Sequence, residues 1–298
     1  MFVIKFKKIF ISISVLFVAL SIFSIVFFGL KMGIDFKGGS SLDISYTGVR
    51  PTSSVIKDAL TNAGFGDATV QLTGTSGALI KSRDLSEAER ASVLTALGEK
   101  GTYVVTQKSF TTIGPSVGVE LKKKAIASII LVLLAIILFV AYAFRKVSYP
   151  VSSWKYGFVV IIALIHDIII PTGVFALLGH LYGFEVDTLF IVALLTTLGL
   201  SVADTIVVFD RIRENLSIKN GKTFSDIVGE SLSQTFGRSI NTSLVVLLMV
   251  LSLVFFGPQS TRLFSIVLAI GMFFGTYSSI FLASPLLVVA ESLQKKQK

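Results

Sequence analysis

Six apolar runs, each close to the thickness of a bilayer, set the limits on what this chain can fold into. They are Ile9–Leu30, Ala125–Phe144, Tyr156–Leu178, Thr188–Phe209, Ser239–Phe256 and Leu263–Ala290, the last longer than a bilayer needs. About 20 apolar residues cross the hydrocarbon core as a helix. Inside that core only helices and closed barrels satisfy their own backbone polar groups. Composition agrees: 53% of the 298 residues are hydrophobic and 15% charged, against about 25% charged in soluble domains. There is no cysteine, which excludes disulfides, thiolate metal sites and thiol chemistry. With two histidines, a multi-histidine metal site is not expected. The first run has a basic start but is long for a signal peptide and lacks a small-x-small cleavage site, so it reads as an uncleaved anchor.

The formal net charge of +9 is distributed for a membrane rather than for nucleic acid. With a cytoplasmic N-terminus, the short cytoplasmic segments hold Lys5, Lys7, Lys8; Arg145, Lys146, Lys155; Arg211, Arg213, Lys219, Lys222; and Lys295, Lys296, Lys298. The short loops opposite hold only Arg262. That asymmetry is the positive-inside rule, and it places both termini in the cytoplasm. Lys122–Lys124 run against it, but they end a long outer segment, and long segments translocate regardless of charge.

That outer segment, Met32–Leu121, has balanced charge and no long apolar run. Gly39–Tyr46 alternates, with Ser41, Asp43 and Ser45 on one side and Leu42, Ile44 and Tyr46 on the other, which is strand periodicity. Pro51–Ala63 has Val55, Ile56, Ala59 and Leu60 on one face and Gly64 after its end, as a helix would. Thr69–Leu72 and Ala78–Lys81 flank a Gly-Thr-Ser-Gly turn and read as strands. Ser86–Glu99 is expected to be a helix with a Ser86/Glu89 capping box, and Tyr103–Phe110 a last strand. The order β-α-β-β-α-β is ferredoxin-like. The domain has no His, and its acids read as solvated surface, so binding or transmitted movement is its expected role. Gly33-Ile34-Asp35-Phe36-Lys37-Gly38-Gly39 joins the first span to it. Two adjacent glycines allow a backbone turn, and a membrane-exit turn and a hinge both fit Gly33, Asp35, Phe36, Gly38 and Gly39.

Four ionisable residues fall inside or at the start of later spans: His166 and Asp167 in the third, Asp204 in the fourth and Arg238 at the opening of the fifth. A charge at mid-bilayer costs roughly 2.5–3.5 kcal/mol on insertion scales, and such residues mark ion or substrate pathways or interhelical pairs. His166 and Asp167 are adjacent, so on a helix they point about 100° apart and are expected to need separate partners. Asp204 lies six residues before Asp210, about 9 Å above the cytoplasmic edge. Arg238 enters the membrane just past Ser233 and Gln234, running the other way, at a similar depth. Arginine holds a carboxyl ionised while desolvation favours the protonated form. A carboxyl between those pulls fits a proton carrier, and a fixed salt bridge uses the same two residues; both readings stay open. Asp167 is twelve residues from Lys155, about 18 Å from the same edge, too far from the level of Asp204 for a protease dyad sharing one proton. Small residues recur in spans four to six (Gly199, Ser201, Ala203; Ser239, Thr242, Ser243; Gly271, Gly275, Ser278, Ser279) and permit close helix packing. Thr223–Phe236 is amphipathic and is expected to lie at the membrane surface and to lead into the fifth span.

These motifs together resemble the SecD/SecF family of protein-export membrane proteins, within the resistance-nodulation-division superfamily. The likeness runs along most of the chain. It is carried by GIDFKGG at 33–39, IGPSVGVEL at 113–121, ALIHD at 163–167, ADTIVVFDRIREN at 203–215, RSINTSL at 238–244 and YSSIFLASPLL at 277–287. It includes the cytoplasmic motif Asp210, Arg211, Arg213, Glu214 and Asn215. The resemblance implies a polytopic α-helical membrane protein with six transmembrane helices and one extracytoplasmic ferredoxin-like α+β domain between the first and second. The boundaries are 1–30 for the N-terminus and first helix, 31–121 for the outer domain and 122–298 for the five-helix region. It implies a bacterial inner-membrane location, a SecD-like subunit, the Sec translocon channel and an unfolded translocating polypeptide as partners, and no nucleic acid. Protons would be the coupling ion, with no metal or other cofactor and no enzymatic activity. It implies a proton relay at Asp204 and Arg238, with Asp167 and His166 in a further family motif. Two departures stand out: Ala203 where the family commonly has Asn, and Val245-Val246 where two threonines are common. A stand-alone exporter of a small molecule or lipid and a structural scaffold of the translocon are the alternatives.

Overall fold

The computed structural model describes residues 2–98, 102–145, 152–218 and 221–296; Glu99, Lys146, Lys219 and Lys298 lie outside them. In chain order the elements are α1 (Phe2–Lys5), α2 (Lys7–Phe28), α3 (Ile34–Lys37), β1 (Gly39–Thr47), α4 (Ser53–Asn62), β2 (Thr69–Thr73), β3 (Gly77–Ser82), α5 (Glu87–Leu97) and β4 (Val104–Ile113). Then follow α6 (Pro115–Ala143), α7 (Ser153–Tyr182), α8 (Thr188–Ser217), α9 (Phe224–Phe256), α10 (Gln259–Tyr277), a π-turn (Ser278–Ala283) and α11 (Ser284–Lys296). The chain divides into two compact units, Met32–Ile126 and the remainder, Met1–Lys31 with Ala127–Lys298.

In the smaller unit, antiparallel pairing gives the sheet order β2-β3-β1-β4 among the described residues, the ferredoxin-like arrangement. Period-two alternation along β1 does what the residues require: Leu42, Ile44 and Tyr46 are buried, while Ser41, Asp43 and Ser45 are less so. They meet Ile56 and Leu60 of α4 and Val93 and Leu97 of α5 in one core. Burying each large apolar side chain contributes about 1.5–3 kcal/mol. The capping box forms. Ser86 Oγ accepts from Glu89 N at 3.3 Å, and Ser86 N donates to Glu89 Oε2 at 2.9 Å. The Arg83 guanidinium, 2.6 Å from Glu89, together with those Ser86 donors, holds the Glu89 carboxyl down to about 2. β4 runs to Ile113, three residues beyond the expected end, because Gly39–Leu42 pair with Phe110–Ile113.

Among the described residues six helices are long and apolar enough to cross a membrane; five lie wholly in the larger unit, and α6 belongs to it from Ala127 on. Within its most apolar window α7 is 56% buried and α6 only 6%, so α7 runs through the bundle's centre and α6 along its outside. Apolar burial does not drive helices together in lipid; close approach and hydrogen bonds do. α2 packs on α7 in that way: Ser24 Oγ donates to Gly173 O at 2.7 Å, and a Cβ on Gly173 would lie 2.4 Å from Ser21. α10 packs on α8 likewise, Gly271 against Thr197 and Gly275 against Ser201. The amphipathic stretch leads into the fifth span without a break, as expected. Thr223, with Asp226 completing a capping box, starts a single helix that continues to Phe256. Its buried face, Phe224, Ile227, Val228, Ser231 and Leu232, is amphipathic because it packs on protein. At 33 residues the helix is about 50 Å long, more than the ~30 Å hydrocarbon core, so one end projects beyond it.

Candidate functional site

Asp204 sits on α8 with its side chain half-buried. Across the seam to α9, Ser243 Oγ donates to Asp204 Oδ2 at 3.0 Å. Arg238 lies on the same helix as Ser243, exposed, and acts electrostatically on Asp204 although, among the described residues, no ion pair closes between them. The carboxylate therefore has one hydroxyl donor and one cation near enough to act on it through space. Ala203, preceding it, is exposed and supplies no hydrogen bond.

One helical turn before Asp204, Ser201 opens a second polar cluster. Its hydroxyl donates to Asp167 Oδ2 in a short bond. Ser278, first residue of the π-turn, donates to the same oxygen at 2.9 Å, and its one proton has a competing acceptor in Gly275 O, also at 2.9 Å. π-turns inside α-helices frequently mark functional sites. His166 Nδ1 lies 2.9 Å from Asp167 Oδ1. This corrects the expectation of separate partners: the residues leave the helix about 100° apart, but the imidazole is long enough to bend back to its neighbour's carboxylate. Both side chains are almost wholly buried, at 2% and 0% exposure. The His166 ring stacks on Tyr277 with centroids 6.2 Å apart, and its Nε2 is buried without a partner among the described residues. Pro171, four residues on, removes the N–H that would pair with the Asp167 carbonyl. The two carboxylates do not meet, each being taken up by different hydroxyls, which leaves no aspartate dyad.

At the far end of α8, Asp210 pairs with Arg213 at 2.5 Å and Arg211 with Glu214 at 2.6 Å. Arg211 Nε also crosses to Gln234 Oε1 of α9 at 2.6 Å. Asn215 Nδ2 reaches the same oxygen at 2.9 Å and Ser231 Oγ at 2.8 Å. The glycine-rich segment belongs to the smaller unit and is a tight joint. Gly38 has φ +80°, and a Cβ there would lie 2.7 Å from Pro115 Cα. Gly39 has φ +141°, and a Cβ would lie 2.6 Å from Ser82 O. A Cβ on Gly118 would lie 2.8 Å from Gly38 N, so GIDFKGG and IGPSVGVEL are two sides of one contact. Phe36 is buried beside it, and Gly33 precedes α3 in an ordinary extended conformation while Asp35 lies in its first turn. Sequence reasoning identifies Ser201, Ser243 and Ser278 only as small packing residues and gives no role to Gln234; the one signal for the serines is their place in those runs of small residues. Among the described residues no cluster suited to a metal ion occurs.

Comparison with known proteins places this geometry. Residues 93–292 match the family model for the C-terminal region of the protein export membrane proteins SecD/SecF, and residues 23–48 match the SecD/SecF GG motif. A protein translocase subunit SecF from Thermobaculum terrenum is 40% identical over 97% of this chain and 94% of its own length. One from Anaerolinea thermophila is 37% identical over 96% and 92%. The crystal structure of SecDF, a translocon-associated membrane protein from Thermus, superposes with a TM-score of 0.83 at 31% identity over 99% of this chain. This chain spans 38% of that SecDF chain.

Proposed function

The chain belongs to the SecD/SecF family of protein-export membrane proteins, and from that premise we propose that it couples proton movement through Asp204 to the late translocation of polypeptides. It is a multi-pass bacterial membrane protein of the protein-translocase class. In this reading its partners are a SecD-like subunit, the Sec channel and the unfolded polypeptide. Both termini are cytoplasmic, as the distribution of lysine and arginine favours.

The observation that carries the reading is the placement of Asp204 between Ser243, which it already engages, and Arg238, which it does not. Swinging the guanidinium in favours the ionised carboxyl; withdrawing it leaves the half-buried carboxyl to desolvation, which favours the neutral acid. A proton taken up in one state is released in the other. Asp167 and His166 form the inner part of the relay, reached through Ser201 one turn from Asp204. The membrane potential supplies about 2.3 kcal/mol per charge moved across 100 mV, comparable with the cost of one such switch. The test is Asp204→Asn in cells with no second copy. Gradient-dependent stimulation of export is abolished while the protein still inserts. Unimpaired export by that variant removes the reading.

A further inference from the structure

We propose that Gln234 is the positioning residue of the relay: with Arg211 and Asn215 it clasps α8 to α9, so that Arg238 reaches Asp204 by a side-chain swing and not by the helices sliding. The inference rests on the reading of Asp204 as the proton-carrying group.

The clasp joins one face of each helix. Arg211 and Asn215 are four residues apart on α8, Ser231 and Gln234 three apart on α9, and side chains at those spacings share a face. The Gln234 carboxamide oxygen takes both crossing donors, Arg211 Nε at 2.6 Å and Asn215 Nδ2 at 2.9 Å. Glu214 holds another nitrogen of Arg211 at 2.6 Å, which aims its guanidinium across the seam. A bond to a charged donor is stronger than a neutral one.

Asp204, seven residues before Arg211, and Arg238, four beyond Gln234, stay close to the clasp faces, while Ser243, nine beyond Gln234, leaves α9 on another side and still bonds Asp204. Arg238 lies four residues beyond Gln234, about 6 Å along the axis. Asp204 lies seven before Arg211, about 10 Å in the same direction because the helices are antiparallel. Ser243 lies nine beyond Gln234, about 13 Å. The level of Asp204 is thus between Arg238 and Ser243. The Ser243 bond pins the seam above it and the clasp pins it below, with Arg238 about 4 Å below the level of Asp204 along the axis. A slide of α9 by one turn, about 5.4 Å, breaks every one of these bonds.

The experiment is run on the full chain with its SecD-like partner, beside Asp204→Asn. Gln234→Leu keeps helix propensity at an exposed position and deletes the acceptor; Gln234→Glu keeps the acceptor. Gln234→Leu is expected to lose roughly tenfold to a hundredfold of gradient-driven export, and Gln234→Glu to retain it. Equal activity in all three forms overturns the clasp, as does equal loss in both variants. Because the chain has no cysteine, Asn215→Cys with Ser231→Cys can be bridged by a short bifunctional thiol reagent without background. The bridged protein is expected to export; a bridge that abolishes export shows that sliding is required and refutes the inference. Spin labels at the exposed positions Ala203 and Leu244 provide a readout independent of export. Their distance distribution is expected to broaden in Gln234→Leu and not in Gln234→Glu; no broadening contradicts the clasp. Normal export by Asp204→Asn sinks the functional reading instead, and the spin-label result then still decides the clasp.

Discussion

Replacing Asp167 by Asn separates a structural carboxylate from a proton-handling one. Asp167 Oδ2 accepts two hydroxyl protons, from Ser201 and Ser278, and Oδ1 faces His166 Nδ1. In Asp167→Asn the amide oxygen takes the place of Oδ2 and keeps both serines. The amide nitrogen then faces His166, which accepts once its proton moves to Nε2. The contacts of residue 167 are kept by the change of tautomer, and His166 Nε2, without a partner among the described residues in the parent, turns from acceptor to donor, so the variant is expected to lose no more than about 1 kcal/mol. Asp167→Leu, of similar size, deletes the acceptor for two interhelical bonds. Such bonds average about 0.6 kcal/mol in membrane proteins, with a maximum near 1.7 kcal/mol, so this variant is expected to lose about 1–3 kcal/mol. Reversible denaturant unfolding in bicelles measures both. Gradient-driven export in inverted vesicles supplies the second axis: Asp167→Asn is expected to be stable but impaired. An Asn variant as unstable as Leu refutes the hydrogen-bond assignment; a stable Asn variant with full export refutes the place of Asp167 in the relay.

Further predictions follow from other contacts. Gly38→Ala combines φ +80° with a Cβ 2.7 Å from Pro115; with ψ 158° this is a region nearly confined to glycine, and another residue there costs about 1–3 kcal/mol before any clash. Limited proteolysis of the full chain in membranes is expected to open the outer domain sooner. Gly271→Ala places a methyl 2.3 Å from Thr197 Oγ1, whereas Gly275→Ala places one 3.1 Å from Ser201 Cβ. The first is expected to lower the thermal midpoint more than the second in the same detergent. Glu89 is ionised well below its ordinary 4.5, held to about 2 by Arg83 and Ser86. A depressed carboxylate contributes stability that is present above the unfolded value and lost as pH falls through the folded one. The protection of α5 amides against hydrogen exchange, relative to the unfolded chain at the same pH, is therefore expected to fall between about pH 4.5 and 2, and this component of the acid response is expected to vanish in Glu89→Gln.

Much of the architecture was legible because periodicity reports burial directly. Leu42, Ile44 and Tyr46 alternate with polar residues because one face of β1 is wet, and Ser86 with Glu89 announces a helix start by its own hydrogen bonds. The continuation of α9 was legible, but the packing of its stripe was not, because Phe224, Ile227, Val228 and Leu232 look the same whether they meet lipid or protein. Asp204 and Arg238 were visible as charges where charge is costly. Their partners were not: a serine in an apolar span has no period, and the donors to Asp167 come from residues 34 and 111 positions away. The His166–Asp167 contact was missed because a helical wheel fixes where a side chain leaves the backbone and not where a flexible one ends.

The account turns on the charge of one carboxyl, and isotope-edited infrared difference spectroscopy reads that charge in the assembled complex. Protonated carboxyl absorption is expected to appear and disappear with the direction of the proton gradient, and to be absent from Asp204→Asn. A carboxylate signal from Asp204 that stays ionised under every gradient, in a complex that still exports, would contradict it.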